Sequence, residues 1–259
     1  MAEPASPMRD YSPPSSVFHT PEKQIVRSHY GISRRYETEE KAPIFQGELL
    51  PTYRQSAIGD EPARDGFHVT YYRTPSGKEH AIVQQRPSGT PCGFGCMMML
   101  FFDRILGAEN PKAEYKRQSQ AENSYIDQFY KSDELTSAFK LQKDAEMFET
   151  GVTLRVIAFA KKNFAPTEKV DELVQVATHA GIVKSLKAKL KKGGSIIQAI
   201  NHPHLKGHWV IVDEFSKGHF YIRDPFSGKA YKVSEAEFGP MLLKGVQCEY
   251  ALRVENNQK

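Results

Sequence analysis

The chain has 259 residues, of which 39% are hydrophobic, enough to fill the core of one enzyme-sized domain with tails or of two small domains. Its 35 Lys and Arg against 31 Asp and Glu leave a net charge of +4, too mild and too dispersed to argue for nucleic acid as a partner. Three cysteines argue against a disulfide framework, no apolar run approaches the roughly 18 residues of a membrane span, and the N-terminus lacks the apolar core of a signal peptide. The expectation is a soluble protein of a reducing compartment, or one exported by a route that needs no such peptide.

Residues 1–40 are rich in Pro, Ser and charge, as in SerProMetArgAspTyrSerProProSerSer. Such a segment cannot bury enough apolar surface to offset its ordering entropy, so residues 1–60 are expected to form a disordered or extended leader. Within residues 41–65 the run PheGlnGlyGluLeuLeuProThrTyr is expected to dock on the domain, which occupies 61–259. Strand signals at Phe67 to Arg73 and His80 to Gln85 flank a ThrProSerGly turn and predict a hairpin.

The stretch from Gln84 to Met99 reads QQRPSGTPCGFGCMMM. ThrPro at 90 and 91 ends the preceding extended segment, because the residue before proline is pushed out of the α region. A helix is therefore expected from Cys92 to about Gly107, and because it is apolar almost all round it should be buried. Cys92 would then sit at a helix N-terminus, where unpaired N–H groups and the positive end of the dipole favour a thiolate.

The polar stretch 108–123 is assigned to a surface helix or loop. Asp133 to Glu149 reads as a helix capped by Ser132 with Leu135, Phe139 and Leu141 on one side, followed by a strand from Val152 to Ala160. Thr167 is expected to cap a helix running to about His179 with Val170, Leu173, Val174 and Val176 as its apolar set. A shorter helix, Ile182 to Lys191, carries a Lys-rich face read as solvated. The GlyGly pair at 193 and 194 ends it before a buried strand at 195–200.

Residues 208–215 and 219–224 alternate apolar and polar side chains around a SerLysGly turn, which predicts a hairpin. A turn near Lys217 brings His208 and Asp224 roughly opposite one another, within reach of an imidazole–carboxylate hydrogen bond. A short helix near Ser234 to Leu243 and a strand from Val246 to Val254 complete an α+β pattern, helices first and an antiparallel sheet afterwards.

These motifs resemble papain-like cysteine peptidases, and more closely the branch holding double-glycine leader peptidases and the cysteine-protease effectors of plant-pathogenic bacteria. Members show a Gln six or seven residues before a Cys that opens a helix, then a strand beginning with His and another ending in AspPro. In this chain Gln85 precedes Cys92 by seven residues and Asp224 follows His208 by sixteen. The resemblance covers about residues 80–255 and implies a papain-like fold, in which a central buried helix packs on an antiparallel sheet. It implies a Cys92, His208, Asp224 triad, with Gln85 and the Cys92 N–H as oxyanion hole and a protein or peptide as substrate. An N-terminal tail of this kind often carries an export signal in effectors.

Other assignments stay open. Cys96, one turn beyond Cys92, reads as core packing but is the rival nucleophile, because the papain signature uses the second of two nearby cysteines. Cys248 reads as buried and inert. His202, His204 and His208 could belong to a metal set, but no second cluster with suitable spacing accompanies them, so neither metal nor cofactor is expected. Asp213 is an alternative orienter on the opposite side of its strand, Gln84 an alternative to Gln85, and Trp209 either shields the pair or packs in the sheet. The same thioester serves peptide hydrolysis, glutamine deamidation or acyl transfer, and an inactive papain-fold binding module is the remaining alternative.

Overall fold

The computed structural model describes residues 24–28, 31–35, 44–53, 69–84, 92–117, 136–147, 151–202, 205–242 and 248–256. Residues 1–41 form one compact unit, in which β1 (Gln24–Ser28) and β2 (Gly31–Arg35) pair as an antiparallel hairpin. Residues 42–259 form the other. Its first described strand, β3 (Glu48–Leu49), follows the buried Ile44 and Phe45, so this segment packs on the domain.

The site depends on α1 (Cys92–Leu106), whose three methionines, three phenylalanines, Leu100 and Ile105 are buried. Ahead of it stands the hairpin of β4 (Val69–Arg73) and β5 (Glu79–Val83). After α1 come α2 (111–117) and α3 (Ala138–Met147), the latter opened by Ser137, whose Oγ accepts the Lys140 N–H at 3.1 Å. The proposed cap Ser132 and Leu135 lie outside the described residues.

The remaining elements are β6 (Val152–Ala160), β7 (Glu172–Gln175), α4 (His179–Leu190), β8 (Ile196–His202), β9 (Leu205–Ser216), β10 (His219–Asp224), β11 (Lys229–Ser234), α5 (Glu235–Phe238) and β12 (Cys248–Asn256). Among the described residues, eight strands form one sheet in the order β3-β11-β10-β9-β8-β12-β6-β7, antiparallel except for the β6–β7 pair. The class is α+β. One face of the sheet, with Ile197, Ile211 and Leu252, packs on α1, α3 and the β4–β5 hairpin. The other, with Val210, Val212 and Ile222, packs on Ile182, Val183 and Leu186 of α4. No described helix is long and apolar enough to cross a membrane.

The helix expected from Thr167 to His179 is absent. Glu172–Gln175 is instead a strand running parallel to β6, with alternating exposure that leaves Leu173 outside while Val174 packs on the second core. Val170, Leu173, Val174 and Val176 fit a helical period, but an edge strand needs only Val174 and Val176 to face inward, and β-branched residues suit it better. The next helix begins earlier than expected, at His179 after Thr178. Its Lys-rich face is not wholly solvated: Lys189 is buried against Glu172 at 2.5 Å, and Lys187 meets Glu235 at 2.7 Å.

Candidate active site

Cys92 is the first residue of α1, so its sulfur lies where the helix leaves backbone N–H groups unpaired. Gly93 lets that first turn sit tightly: a Cβ there would fall 2.9 Å from Thr136 Cβ and 3.0 Å from Leu141 Cδ2. The backbone N–H of Trp209 donates to Cys92 Sγ at 3.2 Å, which ties the start of α1 to β9. Trp209 itself is buried, and its Nε1–H donates to the Thr136 carbonyl at 2.8 Å.

The preceding residue, His208, is only 3% exposed, and its Nε2 lies 2.7 Å from Asp224 Oδ1. The Cys92 side chain is a second hydrogen-bonding partner of the ring. Burial alone would lower the imidazole pKa. Asp224 and Cys92 outweigh it and push His208 up to about 9.

Asp224 is fully buried, and the turn behind it holds its carboxylate. Oδ1 also accepts the Phe226 N–H at 2.9 Å, and Oδ2 accepts the Ser227 N–H at 3.1 Å. The turn closes on Gly228, at φ +65°, where a Cβ would strike the Gln84 side chain at 2.6 Å. Gln84 therefore covers the Asp224 turn. Gln85 lies outside the described residues, as does His204, and the side chain of His202 is likewise not described.

Cys96 is completely buried, and that burial pushes its thiol well above the ordinary range. Cys248 is half-buried in β12, and burial raises its thiol too. Cys92, like Cys248 and unlike Cys96, is partly exposed.

A second polar cluster was not foreseen. His80, Asp103 and Asp213 converge closely enough for a metal site, but the buried guanidinium of Arg223 occupies their meeting point. Burial would raise the Asp213 pKa, but Arg223, with His80 and Ser195, holds it down at about 2. One sequence signal was available: Asp103 is the lone acidic residue in the apolar helix α1.

No protein-family model matches the chain, and no curated protein matches it. Among solved structures it is similar to a double-glycine motif protease of an AMS/PCAT transporter in complex with its leader peptide. That match has 15% identity and a TM-score of 0.38, covering 69% of this chain and 94% of the other. It is similar to the Pseudomonas avirulence protein AvrPphB at 11% identity and a TM-score of 0.31, over 65% of this chain and 93% of that one. A C39-like peptidase from Bacillus anthracis matches at 13% identity and a TM-score of 0.30, over 49% of this chain and 63% of its own.

Proposed function

We propose that the protein is a cysteine peptidase in which Cys92 is the nucleophile, His208 the acid–base and Asp224 the orienter. The observation that carries this reading is the unbroken sulfur–imidazole–carboxylate chain at the head of α1, with a 2.7 Å bond between ring and carboxylate. Asp224 takes the Nε2 side of the ring, which leaves Nδ1 to face the sulfur. An imidazole with a pKa of about 9 stays protonated at neutral pH and supports a thiolate beside it.

Cys92 attacks the amide carbonyl, and His208 gives its proton to the leaving amine. A water deprotonated by the same imidazole then resolves the thioester. The buried carboxylate keeps the ring oriented and supports its charged form. Gln85 and the Cys92 N–H are the oxyanion donors in this reading, and loss of one such donor costs about 100-fold to 1000-fold in rate. The substrate is a protein or peptide. A glutamine side chain in the same position gives deamidation or acyl transfer instead.

Intact-mass analysis of candidate protein substrates separates the chemistries. New termini, abolished by Cys92→Ala, indicate peptide hydrolysis. A shift of about one mass unit on an unbroken chain indicates deamidation. A Cys92→Ala protein that kept its full biological effect would leave only the binding module. Export as an effector is tested separately, by following a reporter fused behind residues 1–60 into a host cell.

A further inference from the structure

We propose that Arg223 is a positioning residue that sets the spacing between the Cys92 helix and the strands carrying His208 and Asp224. This inference rests on the triad reading above. The Arg223 side chain is fully buried. Its Nε and Nη2 donate to the two carboxylate oxygens of Asp213 at 2.8 and 2.7 Å. Nη1 and Nη2 donate to those of Asp103 at 3.1 and 2.8 Å, and Nη1 also donates to the Ala81 carbonyl at 2.7 Å.

Each partner belongs to a segment that delivers one reacting residue. Asp103 lies eleven residues after Cys92 in α1, about three helical turns and hence on nearly the same helix face. Asp213 is on the strand of His208, and Arg223 immediately precedes Asp224. One rigid planar group thus grips the helix of the nucleophile and the strand of the base while sitting on the strand of the orienter. A guanidinium can do this because it offers five donors in a fixed fork.

The surroundings are arranged to keep the fork still. Asp103 also accepts the Ala81 N–H at 2.7 Å, and His80 Nδ1 lies 3.0 Å from its Oδ2 and 3.6 Å from Asp213 Oδ1. Tyr72 and Ser195 hydroxyls donate to Asp213 at 2.5 and 2.6 Å. The thiol of Cys96, one turn from Cys92, feels the charges of both Arg223 and Asp213. Buried ion clusters seldom add stability over well-packed apolar residues, because desolvation offsets the attraction. Alignment of the three catalytic segments is what this cluster supplies.

The test follows alkylation of Cys92 by iodoacetamide against pH, located by peptide mapping, together with thermal unfolding by circular dichroism. Wild type, Arg223→Lys and Asp103→Asn are compared. Lysine keeps the charge but cannot grip two carboxylates at both oxygens. In the wild type Cys92 is alkylated faster than Cys248 of the same protein at pH 6. In folded Arg223→Lys the Cys92 rate at pH 6 falls by more than about tenfold, and Asp103→Asn moves the same way. Folded variants with the wild-type profile overturn the proposal, and so does loss of cooperative folding in both, which would make the cluster a stability element. A wild-type Cys92 that is alkylated no faster than Cys248 refutes the triad and this inference with it, an outcome distinct from the other two.

Discussion

His208 and Asp224 share one face of the sheet because β9 carries an extra residue between them. The hairpin turn sets His219 opposite Ser216 and Tyr221 opposite Glu214, but beyond a bulge Ile222 faces Val212 and Arg223 faces Ile211. Continuing that register puts Asp224 beside Val210, two residues from His208 and on its side of the strand. Without the slip, Asp224 would face Ile211, whose side chain packs on the α1 face. The same bulge aims two consecutive carboxylates at the β4–β5 hairpin: Asp213 accepts from Tyr72 at 2.5 Å and Glu214 from the Ser76 hydroxyl at 2.7 Å.

The raised pKa of His208 sets the alkaline edge of activity. The general acid is protonated below about pH 9, so kcat/KM should fall as pH rises through that value. Asp224→Asn removes a cause of the upward shift and leaves the burial that opposes it. Its alkaline limb should therefore move to lower pH, with a loss of about 100-fold or more in kcat/KM. An Asp224→Asn protein whose limb stayed near pH 9 would show that another group holds the proton.

Stability should vary with pH at both extremes. The folded pKa of His208 lies above its unfolded value of 6.5, so its contribution is complete below 6.5 and disappears as pH rises through about 9. Asp213 has the opposite sign: its contribution is present above 3.8 and is lost as pH falls through about 2. Urea midpoints measured against pH should show both slopes. Asp213→Asn should flatten the acid one by on the order of 2 kcal/mol, while His208→Ala flattens the alkaline one. Unchanged slopes in both variants would rule out these groups as the source.

Much of this was legible in the sequence, for physical reasons. An apolar run starting directly after ThrPro has few alternatives to a buried helix, and alternation on both sides of SerLysGly defines β9 and β10. The bulge left no trace, because an added residue alters pairing without altering composition. The pattern around Glu172–Gln175 suggests a helix because Val170, Leu173, Val174 and Val176 fit a helical period, whereas the edge strand leaves Leu173 outside. Arg223 and Asp103 each look like surface residues until the fold brings positions 120 apart into contact. Trp209, Gly93 and Thr136 around the sulfur are set by tertiary packing that local pattern does not contain.

The turn joining β9 and β10 holds a removable strain. Lys217 and Gly218 adopt φ of +49° and +79° in a two-residue loop between paired Ser216 and His219, the geometry that favours Asn-Gly. A side chain bearing Cβ is disfavoured in this region by about 1–2 kcal/mol. Lys217→Asn should raise the unfolding free energy by up to about 1 kcal/mol. A Cβ at Gly218 would meet no atom within 4 Å, so Gly218→Ala tests backbone conformation alone and should cost about 1–2 kcal/mol. Denaturant midpoints moving the other way would contradict the turn assignment.

Gly93 offers a way to move the sulfur without touching the triad. A methyl group there would press on Thr136 Cβ at 2.9 Å and Leu141 Cδ2 at 3.0 Å, so the first turn of α1 must shift. Overpacking of this kind costs about 1–3 kcal/mol. Because Cys92 is the adjacent residue, Gly93→Ala should also displace Sγ from Trp209 N–H and the imidazole, and a misplacement of about 1 Å can cost about 100-fold in rate. Thr136 Oγ1 is buried and has no hydrogen-bond partner among the described residues, so Thr136→Gly gives up no side-chain bond there while clearing the space. The double variant should recover most of the lost kcat/KM. If Gly93→Ala were fully active, or if the Thr136→Gly background gave no recovery, the close approach at the head of α1 would not be what places the sulfur.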